Sequence, residues 1–221
     1  MSLKLSSILI LISMLLSCSE EKAIDYSISK EELTPISINE IEQIDFEESK
    51  TLLDYVTNQA NGYYKSKQID EINFSLLRKP KDYIKALKQL KSNEEVNLEK
   101  DDLQYFDLRI KVDHFNMEFM KYNLPSSNDY GTRVSYYAFE FQKKIFLIDG
   151  KDTLPCVLYH FERTYDITPF GHFTLAFPPS KNKTQICAKT VFFPDEIFHK
   201  GIIKFTYIPE NLIKVPKLNY L

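Results

Sequence analysis

The densest run of side chains able to do chemistry is His160-Phe161-Glu162-Arg163. On an extended strand, side chains alternate between faces, so His160 and Glu162 share one face and Arg163 takes the other. A His/Glu pair at that spacing suits proton transfer or metal ligation. The surroundings do not extend it toward a hydrolase. No Gly-x-Ser-x-Gly turn occurs, and Cys156 stands four strand residues from His160. A solvated or inter-strand polar pair is therefore the reading favoured for His160 and Glu162. Metal chemistry fares no better: Asp107 and Asp113-His114 come without His-x-Glu-x-x-His or paired Cys-x-x-Cys spacing. Asp149-Gly150-Lys151-Asp152 lacks the twelve-residue ligand pattern of a calcium loop and reads as a hairpin turn, where Asp-Gly is expected. Glycine-rich phosphate loops are absent from the sequence. The expectation is a chain with no catalytic residue, no bound metal and no cofactor.

Three cysteines occur. Lys4 opens the chain as its one early positive charge, and an apolar run follows from Leu5 to Leu16. That run is short of the ~20 apolar residues a membrane span needs and suits the h-region of a secretory signal. Leu15-Leu16-Ser17-Cys18 resembles the lipobox of bacterial lipoproteins, with Leu16 where that family prefers a small residue. The resemblance implies a signal peptide over 1–17, cleavage before Cys18, and a thioether-linked diacylglyceryl group on its thiol. Acyl chains contribute roughly 0.8 kcal/mol per buried CH₂, and about two chains give stable anchoring. Ser19-Glu20-Glu21 is similar to the acidic export tag of surface lipoproteins in Bacteroidetes-type bacteria; a solvated acidic tether is the alternative. The expected address is the outer membrane, with the periplasmic or surface face left open. In that oxidising compartment a Cys156–Cys187 disulfide is permitted. Both residues also lie in apolar, strand-like runs where free buried cysteine is common.

Charge is unevenly placed. The net charge is -3, yet Ser19 to Lys50 carries ten acids against Lys22, Lys30 and Lys50. From Thr51 onward 24 bases face 21 acids, so nothing there forms the basic footprint that nucleic acid requires. Residues 18–45 read as an acidic flexible tether.

Two modules are expected beyond the tether. In residues 46–101, Thr51 to Val56 fits a short strand or a helical turn. Tyr63 to Ile69 and Ile72 to Leu76 alternate around Asp70-Glu71, the pattern of a β-hairpin. Pro80 is placed to open a helix reaching Ser92, with Tyr83, Ile84, Leu87 and Leu90 on one side and lysines on the other. In residues 102–221 the period turns to two. Phe106, Leu108, Ile110 and Val112 form the buried face of a strand, and Tyr105, Asp107, Arg109 and Lys111 the other. Further strand-like runs cover Val134–Phe141, Ile145–Ile148, Thr153–Tyr165, His172–Phe177, Thr184–Phe193 and Ile202–Ile208, while Met117–Tyr122 fits a helical turn or an edge strand. The fold class is α+β, mainly β: an N-terminal hairpin-helix segment and an antiparallel β-sandwich or barrel.

Several blocks carry a second resemblance. Asn61-Gly62, Leu76-Leu77-Arg78-Lys79-Pro80-Lys81-Asp82-Tyr83-Ile84, Leu103-Gln104-Tyr105-Phe106, Asp149 to Cys156, Tyr159 to Arg163 and Ile213 to Leu218 are similar to blocks in uncharacterised lipoproteins of Bacteroidetes-type bacteria. The resemblance implies export and lipidation and brings no activity. Asp152-Thr153-Leu154 matches the short O-glycosylation pattern of such bacteria, making Thr153 a candidate acceptor. Sugar platforms commonly use Trp, and the chain has none; Tyr136, Tyr137, Tyr159 and Tyr165 are the aromatics left for glycan stacking, or for the core. The expected function is a lipid-anchored, non-enzymatic envelope protein that binds or assembles with another envelope protein. A glycan- or small-ligand-binding module is the alternative, and a hydrolase using His160 and Glu162 comes third.

Overall fold

Period-two alternation in Gln104–Val112 and its neighbours builds one large antiparallel sheet. The computed structural model describes residues 34–92, 98 and 101–219; the expected signal segment 1–17 and Cys18 lie outside the described residues. The described chain opens with β1 (Ile36–Ser37), β2 (Glu42–Phe46) and α1 (Ser49–Thr57), followed by the hairpin β3 (Tyr64–Ile69) and β4 (Ile72–Lys79) and by α2 (Lys81–Ser92). Next come β5 (Gln104–Val112), α3 (Ser127–Ser135), β6 (Phe146–Asp149), β7 (Asp152–Pro155) and β8 (Leu158–Glu162). The chain continues through β9 (Phe170–Phe177), β10 (Gln185–Ile186), β11 (Lys189–Asp195), β12 (Gly201–Tyr207), α4 (Pro209–Leu212) and β13 (Lys214–Leu218).

Two antiparallel sheets, ordered β3-β4-β5-β9-β8 and β12-β11-β6-β7, hold the main core between them. Phe106, Leu108, Ile110 and Val112 point into that core as the alternation requires. Across it, the Phe74 and Phe193 rings lie 6.2 Å apart and those of Phe106 and Tyr207 5.7 Å apart, while Tyr207 Oη donates to the Leu76 carbonyl at 3.1 Å. The architecture is mainly β and sandwich-like, and it is not a closed barrel. On the far side of the five-stranded sheet, Leu52, Val56, Tyr83 and Ala86 from α1 and α2 join Tyr63, Leu77 and Leu218 in a second, smaller core.

Several elements differ from the expectations. The hairpin and α2 are not a module apart from the β-rich region, because β4 pairs with β5 along its whole length. The end of the expected tether is strand: β1 pairs with β10, and β2 runs parallel to β13 from Glu42↔Lys214 to Phe46↔Leu218. Val134–Phe141 is helical, not extended. Together with Arg133 just before it in α3, Tyr137 and Phe141 give buried positions four apart, and the run passes through a π-helical turn at Tyr136–Glu140. With a charged residue as the first of the three, the helical period was hidden from an apolar count. Thr153–Tyr165 breaks at Pro155-Cys156, where the chain leaves one sheet for the other.

Candidate functional site

The outer face of the five-stranded sheet shows where the expected His/Glu pair goes. β8 is an edge strand with His160 and Glu162 exposed on one face. Glu162 does not turn to His160; its Oε2 lies 2.8 Å from Nδ1 of His172, the residue opposite it on β9. His172 Nε2 sits 3.5 Å from Asp107 Oδ2 on β5, long for a hydrogen bond and close enough for attraction between charges. Asp107 also receives Lys79 Nζ from β4 at 2.9 and 3.0 Å and the Thr174 hydroxyl at 3.1 Å. A polar ladder, Lys79–Asp107–His172–Glu162, therefore crosses four strands. The Asp107 carboxylate foremost, then Glu162, raises the His172 pKa against desolvation by burial. Burial pushes Asp107 up, but His172 and Lys79 outweigh it and hold the carboxyl below its ordinary range; the His172 contact lowers Glu162.

This arrangement ties strands together and does not activate a nucleophile. The Thr174 hydroxyl donates to Asp107, a carboxylate that His172 and Lys79 hold below its ordinary pKa range and so make a weak proton acceptor. Among the described residues no group of three or more His, Cys, Asp or Glu is placed to hold a metal ion. The ladder should show itself as a pH dependence of stability. The raised His172 value gives a contribution complete below the free-histidine pKa of 6.5 and lost as pH rises through the folded value. The lowered carboxylates contribute above their ordinary range and lose that as pH falls through their folded values. Urea unfolding should thus show stability declining from about pH 6 toward pH 8, and His172→Gln should flatten that decline.

The two remaining cysteines do not form the permitted disulfide. Cys156 N donates to the Ile145 carbonyl at 3.2 Å, at the start of β6. Cys187 lies beside Gly150, past the other end of β6, where a Cβ on Gly150 would stand 2.9 Å from its Sγ. Five residues of strand separate the two places, roughly 17 Å at strand rise, against the 7 Å that a disulfide's Cα atoms tolerate. Both thiols are free. Burial pushes the Cys156 thiol up to about 11, so native-state alkylation at about pH 8 should mark half-buried Cys187 and spare Cys156 until the chain unfolds. Thr153 is exposed on the edge strand β7, next to the Asp149-Gly150 hairpin turn that the sequence placed correctly. Of the tyrosines considered for stacking, Tyr137 is in the core and Tyr159 donates to its carbonyl; Tyr165 is exposed.

A second region has no counterpart in the sequence motifs. Among the described residues six non-glycine residues take left-handed φ: Asp70, His114, Asn123, Tyr165, Asp166 and His199. All six lie in turns at one end of the sandwich, beyond Val112. Asp113 N donates to Glu71 O in the β3–β4 turn at 2.8 Å, and Lys200, next to His199, pairs with Asp70 at 2.8 Å. For a bulky residue such as Tyr165, with φ 47°, this conformation costs about 1–3 kcal/mol and persists only where surrounding contacts impose it. Those contacts are present. Asp166 Oδ1 accepts from Glu118 N at 2.9 Å, Asp166 Oδ2 pairs with Lys121, and the Arg163 guanidinium lies 4.3 Å from the Tyr165 ring centre. Buried Glu118 accepts the Tyr130 hydroxyl at 2.6 Å, and Arg163 donates to the same hydroxyl at 3.1 Å; burial first, then Glu118, raises the Tyr130 pKa. These fastenings hold Met117, Tyr165 and Ile167 outward, at 47%, 65% and 85% exposure.

The chain enters the described unit at the other end. β1 pairs with β10, which ends three residues before Lys189; Lys189 pairs with Asp149 beside Gln104 at the start of β5. Along β5 the two ends stand roughly 27 Å apart at strand rise.

The structure thus combines a mainly β, sandwich-like fold, a cross-tied polar face and a loop end with left-handed turns and exposed apolar side chains. No protein-family model and no curated protein matches the chain. Among solved structures, the crystal structure of a protein of unknown function from Burkholderia pseudomallei aligns with a TM-score of 0.34 and 11% identity, covering 72% of this chain and 84% of that one.

Proposed function

We propose that this chain is a lipid-anchored, non-enzymatic protein of the outer membrane or cell surface that holds another envelope protein at its loop end. The observation that carries the reading is the gathering of the six left-handed non-glycine residues found among the described residues, with exposed Met117, Tyr165 and Ile167, at the end opposite the one where the described chain begins. Backbone strain maintained by dedicated contacts around outward apolar side chains is the pattern of a recognition surface. The lipobox-like Leu15-Leu16-Ser17-Cys18 supports the anchor, which would leave that end free to face a partner.

Each half of the reading has its own test. Cys18→Ala should abolish labelling by a fatty-acid analogue and release the protein from membranes; retention of both label and membrane association would remove the anchor. A photo-crosslinking side chain at Ile167 should capture a protein in intact cells, while one at Lys151, in the β6–β7 turn, should not. Equal capture at both positions, or none at Ile167, would remove the loop-end partner.

A further inference from the structure

The two large sheets have four edges, and three are guarded. β3 carries Lys65 and Lys67 on its core-side face, and Lys67 Nζ reaches the Lys204 carbonyl of edge strand β12 at 3.0 Å. β7 has four residues and ends in Pro155. Inward-pointing charge, proline and shortness are the devices that keep sheet edges from pairing. β8 has neither Lys nor Pro, and its core-side face presents Tyr159 and Phe161, both half-buried.

The register fixes which backbone groups of β8 are free. Arg78 N donates to Tyr63 O and Asp113 N to Glu71 O. In β5 the odd-numbered residues therefore bond toward β4 and the even-numbered toward β9. Carrying the alternation across β9, Leu158, His160 and Glu162 bond toward β9, and Tyr159 and Phe161 turn their N–H and C=O groups to the outside. Among the described residues none of those four groups has a hydrogen-bond partner from another strand. A bulge, where Val157 N bonds to Ala176 O at 2.9 Å, marks where the clean edge begins.

We propose that β8 is a self-pairing edge: two copies of this chain join their five-stranded sheets antiparallel across a two-fold axis at His160. In that register Tyr159 faces Phe161 of the second copy and Phe161 faces its Tyr159. The four outward groups of each copy then satisfy one another, and two aromatic pairs close over the core side. On the outer face His160 meets its own copy, with Glu162 of each chain diagonal to it and exposed Leu158 covered. Opposite charge-bearing types on the diagonal, and an aromatic face that matches only its own reverse, favour a second copy over an unrelated strand.

At the axis His160 forms a non-hydrogen-bonded pair with Cα atoms about 4.5 Å apart, within disulfide range. The full-length His160→Cys chain, in its native membranes under mild oxidation, should give a disulfide dimer at least tenfold above that of Lys67→Cys at the guarded β3 edge. The unsubstituted chain sets the background from Cys187. His160→Lys places two ammonium groups across the axis and should turn the concentration-dependent dimer of the parent into monomer in sedimentation. His160 is exposed, so that variant keeps the fold. Crosslinking of His160→Cys no greater than the Lys67→Cys level, disulfide capture of a different protein, or an unchanged association state for His160→Lys would each overturn the proposal.

Discussion

Replacing Lys189 with methionine is expected to destabilise the protein by about 3–5 kcal/mol, measured by urea unfolding. Lys189 and Asp149 form an ion pair whose side chains are 9% and 2% exposed. Asp149 Oδ2 also takes Gln104 Nε2 at 3.2 Å, and Asp149 Oδ1 has no hydrogen-bond partner among the described residues. Burial lowers the Lys189 pKa, Asp149 opposes that, and Arg78 adds repulsion. Methionine keeps the packing of the lysine stem and removes the charge, so the loss falls on a buried carboxylate left with one amide donor. Adding Asp149→Leu to the same chain should recover most of the stability, because an apolar pair of similar volume replaces a buried ion pair at little net cost. A double variant as unstable as the single one would mean that the geometry of the hairpin turn, and not the unpaired charge, sets the cost.

Arg133→Ala should cost about 2–4 kcal/mol and loosen the loop end ahead of the rest of the fold. The guanidinium of this buried residue donates to the carbonyls of Met120, Tyr122 and Asn123 and stacks 5.5 Å from the Phe198 ring centre. Three carbonyls in a segment with little regular structure have one side chain as their common donor. Burial lowers the Arg133 pKa, yet a guanidinium stays charged. Hydrogen exchange over residues 113–126 should rise in Arg133→Ala at denaturant concentrations where β4 and β5 remain protected. Arg133→Lys should recover only part of the loss, since a single ammonium cannot span three acceptors as a planar fork does. Because Lys121 also pairs with Asp166, loosening 113–126 should reduce capture from Ile167 as well.

The parts of the fold legible in the sequence are those whose pattern is local. The β3–β4 hairpin, the two faces of β5, the helix after Pro80 and the Asp149-Gly150 turn each state their period or turn chemistry within about ten residues, and all are found. The parts hidden from it depend on partners distant in sequence. β2 and β13 are short strands, one acidic and one interrupted by Pro216, and each is a strand because the other is beside it. At the candidate sites the same division holds. His160 and Glu162 do share a face, as alternation requires, but Glu162 takes His172, ten residues on, because register sets them opposite each other. The left-handed turns at Tyr165 and Asp166 carry no glycine or asparagine signal, so only their tertiary fastenings reveal them. Nothing in the spacing of Cys156 and Cys187 says that β6 lies lengthwise between them.

The pairing of β1 and β2 acquires a mechanical meaning on a chain held at its N-terminal end. If the proposed anchor holds the chain, a pull from that side would reach the sandwich first through β1, which is fastened to β10 by two residue pairs, and then through β2, whose five pairs with β13 seal the smaller core. Under rising load the weaker fastening yields first and pays out residues 34–41, about 27 Å of extended chain, while the loop end and both sheets keep their shape. On an anchored chain the first strand would act as a slack reserve, and β2 as the stop.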